Sequence, residues 1–139
     1  MIILAVDYGD VRTGIAVCDK FEMLASPVCV ITQRNRDALL EEIKEIAVKQ
    51  KAEQIVVGLP KNMDSSLGER AEKCTEFANL LSELTGFETV MRDERLTTVS
   101  AHNALNNTNT RGKKRKSVVD QVAAVFILQD YIDYRRLNK

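Results

Sequence analysis

The start of the chain constrains the fold most, because an almost wholly apolar run leads directly into an acid. Residues 2–7 read IILAVD. A short run of this kind is typical of a strand covered on both faces, in the middle of a sheet. Asp7 stands where that strand would end, and ligand sites in open α/β sheets favour this edge. Taken alone, Asp7 fits an ordinary loop acid better than a site residue.

The rest of the chain alternates between patterns of strands and helices. The first strands are separated by Gly9, Gly14 and the pair Ser26-Pro27. Their connections are short enough for an antiparallel meander. Apolar residues at helical spacing then alternate with one buried strand. We predict strands at 2–7, 13–18, 28–32, 54–60 and 87–92, and helices at about 39–47, 69–86, 98–106 and 118–136. We expect one α/β domain over residues 1–139, with a mixed five-stranded sheet flanked by helices.

Charge and cysteine content narrow the functional classes. The 139 residues include 20 basic and 20 acidic side chains, so only local asymmetry could indicate a nucleic-acid partner. Cys18, Cys29 and Cys74 are odd in number and lack metal-site spacing, which argues against a disulfide framework or a zinc site. Cys18 and Cys29 lie in apolar runs, which predicts buried free thiols and a reducing compartment. The chain shows neither a signal peptide nor an apolar run near the roughly 20 residues that span a bilayer. We therefore expect a soluble, cytoplasmic protein.

Two further positions carry acids that could join Asp7. Asp93 and Glu94 directly follow the predicted strand at 87–92. If the strand continues that far, alternation lets only one of them point inward, and a surface pair is equally compatible with the pattern. Asp120 lies on the apolar stripe of the last helix, in step with Ala124 and Ile127. A buried acid must be paired, protonated or metal-bound. The alternative for Asp120 is a carboxylate in the first helical turn, favoured by the helix dipole.

Carboxylates from two strand ends and one helix suit Mg²⁺ or Mn²⁺, which prefer hard oxygen ligands. Such ions catalyse phosphodiester hydrolysis. Other mechanisms lack support, since His102 is the single histidine and no serine-hydrolase, zincin or P-loop spacing occurs.

Basic and polar segments offer contacts for phosphates. Residues 111–116 (RGKKRK) fall in a predicted basic loop, 107–117, just before Asp120. A solvated charged loop is the ordinary alternative. The segment 60–66 (PKNMDSS) precedes a helix and suits either a phosphate or simple helix capping.

The sequence resembles the YqgF family of ribonuclease-H-like proteins, also called RuvX or Holliday-junction-resolvase-like proteins. The resemblance covers nearly the whole chain, through VDYGDVRTGIAVCD, VVGLPKNMDSSLG, MRDERLTTVSA and KRKSVVDQVAAVFILQDYID in the family's order. It implies a ribonuclease-H-like fold, catalytic metal-binding acids at Asp7, Glu94 and Asp120, and a role in maturing the 5′ end of pre-16S rRNA. It favours Glu94 over Asp93.

The leading hypothesis is a Mg²⁺- or Mn²⁺-dependent nuclease acting on structured RNA, as a monomer or homodimer in contact with ribosomal particles. The expected phosphate contacts are Arg12, Asn62, Arg95, Arg111, Lys113, Lys114, Arg115 and Lys116. A Holliday junction resolvase, acting on branched DNA as a symmetric dimer, is the first alternative. A non-catalytic RNA-binding assembly factor is the second. A phosphotransferase is the third, since DYGDVRTG resembles the phosphate loop of actin-like folds, which usually need two domains.

Overall fold

A computed structural model of the protein describes residues 1–59, 68–93 and 112–137, with the backbone alone at 59, 93 and 112–121. Within these ranges five strands and three helices follow one another along the chain. They are β1 (Ile3–Asp7), β2 (Arg12–Cys18), β3 (Ala25–Thr32), α1 (Arg36–Lys49), β4 (Gln54–Leu59), α2 (Glu69–Thr85), β5 (Glu88–Asp93) and α3 (Gly112–Leu137).

The strands form one mixed sheet in the order β3-β2-β1-β4-β5. β1, β2 and β3 make the antiparallel meander that their short connections predict. β4 and β5 then add in parallel to β1, each after a helix. The predicted α/β architecture with a central first strand is confirmed. The carboxyl ends of β1, β4 and β5 consequently meet at one edge of the sheet, here called the carboxyl edge.

Helices cover both faces of the sheet, because alternate residues of each strand point to opposite sides. On one face, Leu4 and Val6 of β1 pack in a buried core with the apolar stripes of α1 and α2. On the other, Ile3 and Ala5 pack in a second core with Ala124, Ile127 and Leu128 of α3. β1 is therefore covered on both faces, as its almost wholly apolar sequence requires.

Two predicted boundaries are wrong, for physical reasons. β3 begins at Ala25 and passes through Pro27, which the sequence marks as punctuation. A proline without an N–H is tolerated there, because β3 lies at the edge of the sheet.

The predicted basic loop is the second error, because α3 begins at Gly112 and includes residues 113–117. Lysine and arginine are good helix formers, so the helix extends beyond the apolar stripe that marks its packed part. The remainder of that loop, and the short helix expected at 98–106, lie outside the described residues.

The amino edge of the sheet, opposite Asp7, is held by polar contacts. The turn between β2 and β3 buries Glu22, whose carboxylate accepts hydrogen bonds from Arg135 of α3 at 2.5 Å and from the amino group of Met1 at 3.1 Å. Nearby, the buried hydroxyl of Tyr131 donates to Oε1 of Gln54 at 3.0 Å. These contacts fix the end of α3 against the start of the sheet.

Among the three helices of the described ranges, none has the length and apolarity to cross a membrane. Cys18 and Cys74 are buried and Cys29 is half-buried, and all three are free thiols.

Candidate active site

Asp7 is the last residue of the central strand, and its side chain is half-buried. On one side it pairs with Gly14 of β2. On the other, β4 pairs Val57 with Val6, so Gly58 comes next to Asp7. Alternation along β1 places Asp7 on the face that α3 covers. Neither directly neighbouring strand position thus contributes a side chain beside this carboxylate.

The loop after Asp7 turns tightly and requires glycine. A Cβ at Gly9 would lie 2.0 Å from the carbonyl oxygen of Arg12, so even alanine cannot fit without a shift of the backbone. The Gly9 N–H donates to Oγ1 of Thr13 at 3.3 Å, and the fully buried Thr13 hydroxyl can donate back to the Gly9 carbonyl at 3.4 Å. These contacts fix the backbone that follows Asp7.

Arg70, in the first turn of α2, clamps the same loop from outside. One guanidinium nitrogen donates to the Tyr8 carbonyl, and the other lies 2.9 Å from Oδ1 of Asp10. The Tyr8 ring stacks on Phe77 with centroids 4.0 Å apart and planes 5° from parallel. Burial raises the pKa of the Tyr8 hydroxyl, and Asp10 raises it further. Arg70 and the stack therefore tie the residue beside Asp7 to α2.

Helix α3 runs between the carboxyl edge and the amino edge of the sheet. Near the end of the helix, Tyr131 bonds to Gln54, the first residue of β4. One and two turns earlier, Ile127 and Ala124 are fully buried on the same face. The preceding part of α3, which includes Asp120, therefore extends toward the edge where Asp7 lies.

Ideal helix and strand dimensions allow the backbone of Asp120 to lie near the level of Asp7. The distance from Tyr131 back to Asp120 is about 16 Å along the axis of an ideal helix. Ile3, the register partner of Gln54, precedes Asp7 by about 13 Å of strand. The two acids, more than a hundred residues apart in sequence, thus belong to backbone segments that reach the same edge.

The helix dipole does not account for Asp120. Because α3 begins at Gly112, Asp120 lies beyond the first turn, to which dipole stabilisation is largely confined. The side chain of Asp120 lies outside the described residues, and the alternative based on a first-turn carboxylate is removed by the backbone alone.

The other predicted site residues divide into three groups. Arg12 is half-buried at the start of β2, at the same edge as Asp7, and pairs with Thr32. A second group lies on the first turns of α3, where only the backbone is described: Lys113, Lys114, Arg115 and Lys116. The third group lies outside the described residues: Asn62, Glu94, Arg95 and Arg111.

The described side chains include one of the three predicted metal ligands. The side chains described at 1–58, 68–92 and 122–137 contain no group of three or more metal-ligating residues. Of the three predicted ligands, Asp7 alone has a described side chain. Its carboxylate oxygens are the donors that Mg²⁺ and Mn²⁺ prefer, and the neighbouring strand positions, Gly14 and Gly58, have no side chains.

Sequence reasoning missed Arg70, Tyr8 and the role of two glycines. From sequence, Gly14 is interpreted as a strand boundary and Gly58 is not singled out, although both lie inside paired strands level with Asp7. A glycine within a strand is a known signal for close approach by a ligand or backbone. No local signal marks Arg70, because its partners lie about 60 residues earlier.

Comparison with known proteins places the chain among nucleases. A family model described as "RuvX: Holliday junction resolvase" matches residues 1–134. A protein of Agathobacter rectalis, named "Putative pre-16S rRNA nuclease", is 42% identical over 137 residues, which cover 96% of each chain. A protein of Halothermothrix orenii with the same name is 44% identical over 135 residues, covering 97% of this chain and 96% of the relative.

A solved structure with a similar fold is that of Thermus thermophilus RuvC in complex with Holliday junction substrate. It superposes with a TM-score of 0.64 at 13% identity, covering 100% of this chain and 97% of that one. At this identity the likeness shows the fold alone. The fold is ribonuclease-H-like, as the family resemblance implies.

Proposed function

The chain belongs to the RuvX family, described as Holliday junction resolvases, and from this premise we propose that it is a metal-dependent nuclease acting at the carboxyl edge. The observation that supports this most is the position of Asp7, at the end of the central strand between Gly14 and Gly58. Asp7, Glu94 and Asp120 would hold the metal.

Strand parity supports Glu94 as the second acid. Arg92 of β5 faces α3, because its Nε lies 2.8 Å from Oδ2 of Asp130. Val90 packs in the same core as α3, whereas Met91 packs in the opposite core. Even-numbered positions of β5 therefore share the face of Asp7, and Glu94, which follows the last residue of the strand in sequence, would share it if the alternation continued by one residue.

Bound Mg²⁺ or Mn²⁺ would supply an activated water and stabilise the leaving oxygen. The chain's own residues orient the substrate around that centre. Asp7 is fixed by the tight loop at Gly9 and the Arg70 clamp. The first turns of α3 carry Lys113, Lys114, Arg115 and Lys116 and have no acid before Asp120, which gives this end of the helix the local excess of positive charge that phosphates require.

We propose precursor rRNA as the substrate, with cleavage that matures the 5′ end of pre-16S rRNA in the cytoplasm, because the relatives' names agree on that substrate. We also propose residues 1–139 as one nuclease domain, in contact with ribosomal particles. The family's description favours a second candidate, the cleavage of four-way DNA junctions. A resolvase would act as a symmetric homodimer, matching the symmetry of its junction.

The test uses purified protein with a 5′-extended small-subunit rRNA precursor and with a four-way DNA junction. Each is incubated with Mg²⁺, Mn²⁺ or EDTA. Asp7→Asn should abolish metal-dependent cleavage, while Asp133→Asn, an exposed acid at the amino edge, should retain it. Cleavage of RNA supports rRNA processing, and cleavage of the junction alone supports the resolvase. Salt-sensitive binding without cleavage would instead establish a binding factor.

A further inference from the structure

Three arginines lie along the carboxyl edge on the side of α1 and α2, away from α3. Arg34 stands between β3 and α1, Arg36 is the first residue of α1, and Arg70 is the second residue of α2. We propose that these three residues, the arginine strip, bind the sugar–phosphate backbone of the nucleic-acid substrate on this side of Asp7. The proposal rests on the nuclease function above and deepens it.

The topology brings Arg34 to the edge where Asp7 lies. β3 is antiparallel to β2, which is antiparallel to β1, so β3 also ends at the carboxyl edge. Immediately beyond it, the Gln33 N–H donates to the carbonyl oxygen of Val11 at 2.9 Å. Arg34 therefore leaves the sheet beside the loop that follows Asp7.

Arg36 and Arg70 approach the same loop from two helices. Arg70 contacts the Tyr8 carbonyl directly, and its guanidinium lies 5.2 Å from the centre of the Tyr8 ring. Arg36 donates to Oε1 of Glu76 in α2 at 3.1 Å, and Glu76 precedes Phe77, whose ring stacks on Tyr8. Arg70 thus contacts the residue that follows Asp7 directly, and Arg36 contacts the helix that packs against it.

The strip is accessible to an anion. Arg34 is exposed and has no ion pair within the described residues. Arg36 is 46% exposed, and its nearest acid, Glu76 at 3.1 Å, is 61% exposed. Ion pairs this exposed contribute little, so a phosphate can replace the carboxylate.

Guanidinium groups suit this role, because each offers two parallel N–H donors to phosphate oxygens. Such contacts ignore base sequence, and they set the position of the strand and the salt dependence of binding. The basic first turns of α3 would hold the substrate from the other side of Asp7. The scissile phosphate would therefore be positioned between two groups of cations, each on a separate face of the sheet.

The test measures the salt dependence of binding. A fluorescein-labelled RNA hairpin with a single-stranded 5′ extension is titrated in EDTA at several KCl concentrations, and affinity is followed by anisotropy. Each of Arg34→Gln and Arg36→Gln should reduce the slope of log K against log[KCl] by about 0.7–0.9, the value for one lost phosphate contact. The double variant should lose about twice as much. In Mg²⁺, these variants should raise KM and leave kcat unchanged.

The matched control is Arg136→Gln, which removes the same charge from an arginine that also pairs with an exposed acid, but at the amino edge. Its slope should equal that of the wild type. If the strip variants and this control have equal slopes while the wild type still cleaves, the strip is wrong and the nuclease stands. If the wild type neither binds nor cleaves, both proposals fail.

Arg70→Gln gives a second readout, because this side chain also holds the Tyr8 carbonyl. It should lower kcat in addition to reducing the salt slope, whereas Arg34→Gln should reduce the slope and leave kcat unchanged. A loss of kcat at Arg70 without any change in slope would restrict Arg70 to positioning the loop and remove it from the strip.

Discussion

Replacing Glu22 with glutamine should destabilise the protein by about 2 kcal/mol. Glu22 is 5% exposed, and its carboxylate accepts hydrogen bonds from Arg135 and from the amino group of Met1. Removing one partner of a fully buried ion pair costs about 3–5 kcal/mol. Here the two cationic groups are 28% and 29% exposed, so they regain part of their hydration and the cost falls.

Glutamine is the informative replacement at this position. Glu22 has a positive φ of 56°, and the variant keeps both this backbone conformation and the shape of the side chain. The variant loses the charge and one of the two acceptor oxygens. The assay is urea unfolding followed by circular dichroism, and the expected loss corresponds to a melting point lower by roughly 6–10 °C. Glu45→Gln, at an exposed position of α1, is the control and should change stability by less than about 0.5 kcal/mol.

The effect should depend on pH with a definite sign. The hydrogen bond from Arg135 lowers the pKa of Glu22 below its ordinary 4.5. Burial opposes this shift, and the hydrogen bond from the Met1 amino group adds to it. The charged form therefore contributes stability that is present above pH 4.5 and is lost as the pH falls through the lower, folded-state pKa. The wild type and Glu22→Gln should differ fully at pH 7 and converge in more acidic solution. Equal stability at pH 7, or a difference that persists below the folded-state pKa, would refute this reasoning.

Three further outcomes are expected. Tyr131→Phe removes the donor to the buried Oε1 of Gln54 and should cost about 1–2 kcal/mol in urea unfolding; an unchanged midpoint would show that this bond contributes nothing. Gly9→Ala forces a Cβ against the carbonyl of Arg12 and should cost about 1–3 kcal/mol and impair cleavage, so a variant with wild-type melting and activity would contradict the loop geometry. Burial raises the pKa of the Cys18 thiol, so iodoacetamide at pH 7 should modify Cys18 more slowly than a free cysteine peptide; equal rates would count against its burial.

The fold was predictable because its core signals are local. The apolar run at 2–7 indicates a strand that is covered on both faces. Gly86 ends α2 with a φ of 75°, a left-handed conformation that favours glycine. The start of α3 was not predictable from apolar periodicity, because a charged segment can continue a helix that no longer packs. Nor does any local pattern show that α3 takes one face of the sheet while α1 and α2 take the other.

The candidate site was predictable only in part. Asp7 follows its strand directly, so its position at an edge could be inferred from sequence. The choice of Glu94 came from the family resemblance and remains a prediction, and parity along β5 now supports it. Arg70 depends on contacts to residues about 60 positions earlier, and Gly14 and Gly58 acquire meaning only when the register places them beside Asp7. Contacts between residues so far apart in sequence are set by the tertiary fold and leave no local pattern.

The crossing of β1 by α3 also determines when the site can form during synthesis. Among the elements that the structure describes, β1 is synthesised first and α3 last, and Asp7 and Asp120 belong to these two segments. A nascent chain that lacks α3 leaves one face of β1 uncovered. It also lacks one of the proposed catalytic acids. Under our proposal, the chain therefore gains nuclease activity only after its last helix has emerged and packed, so unfinished chains cannot cleave the RNA around them.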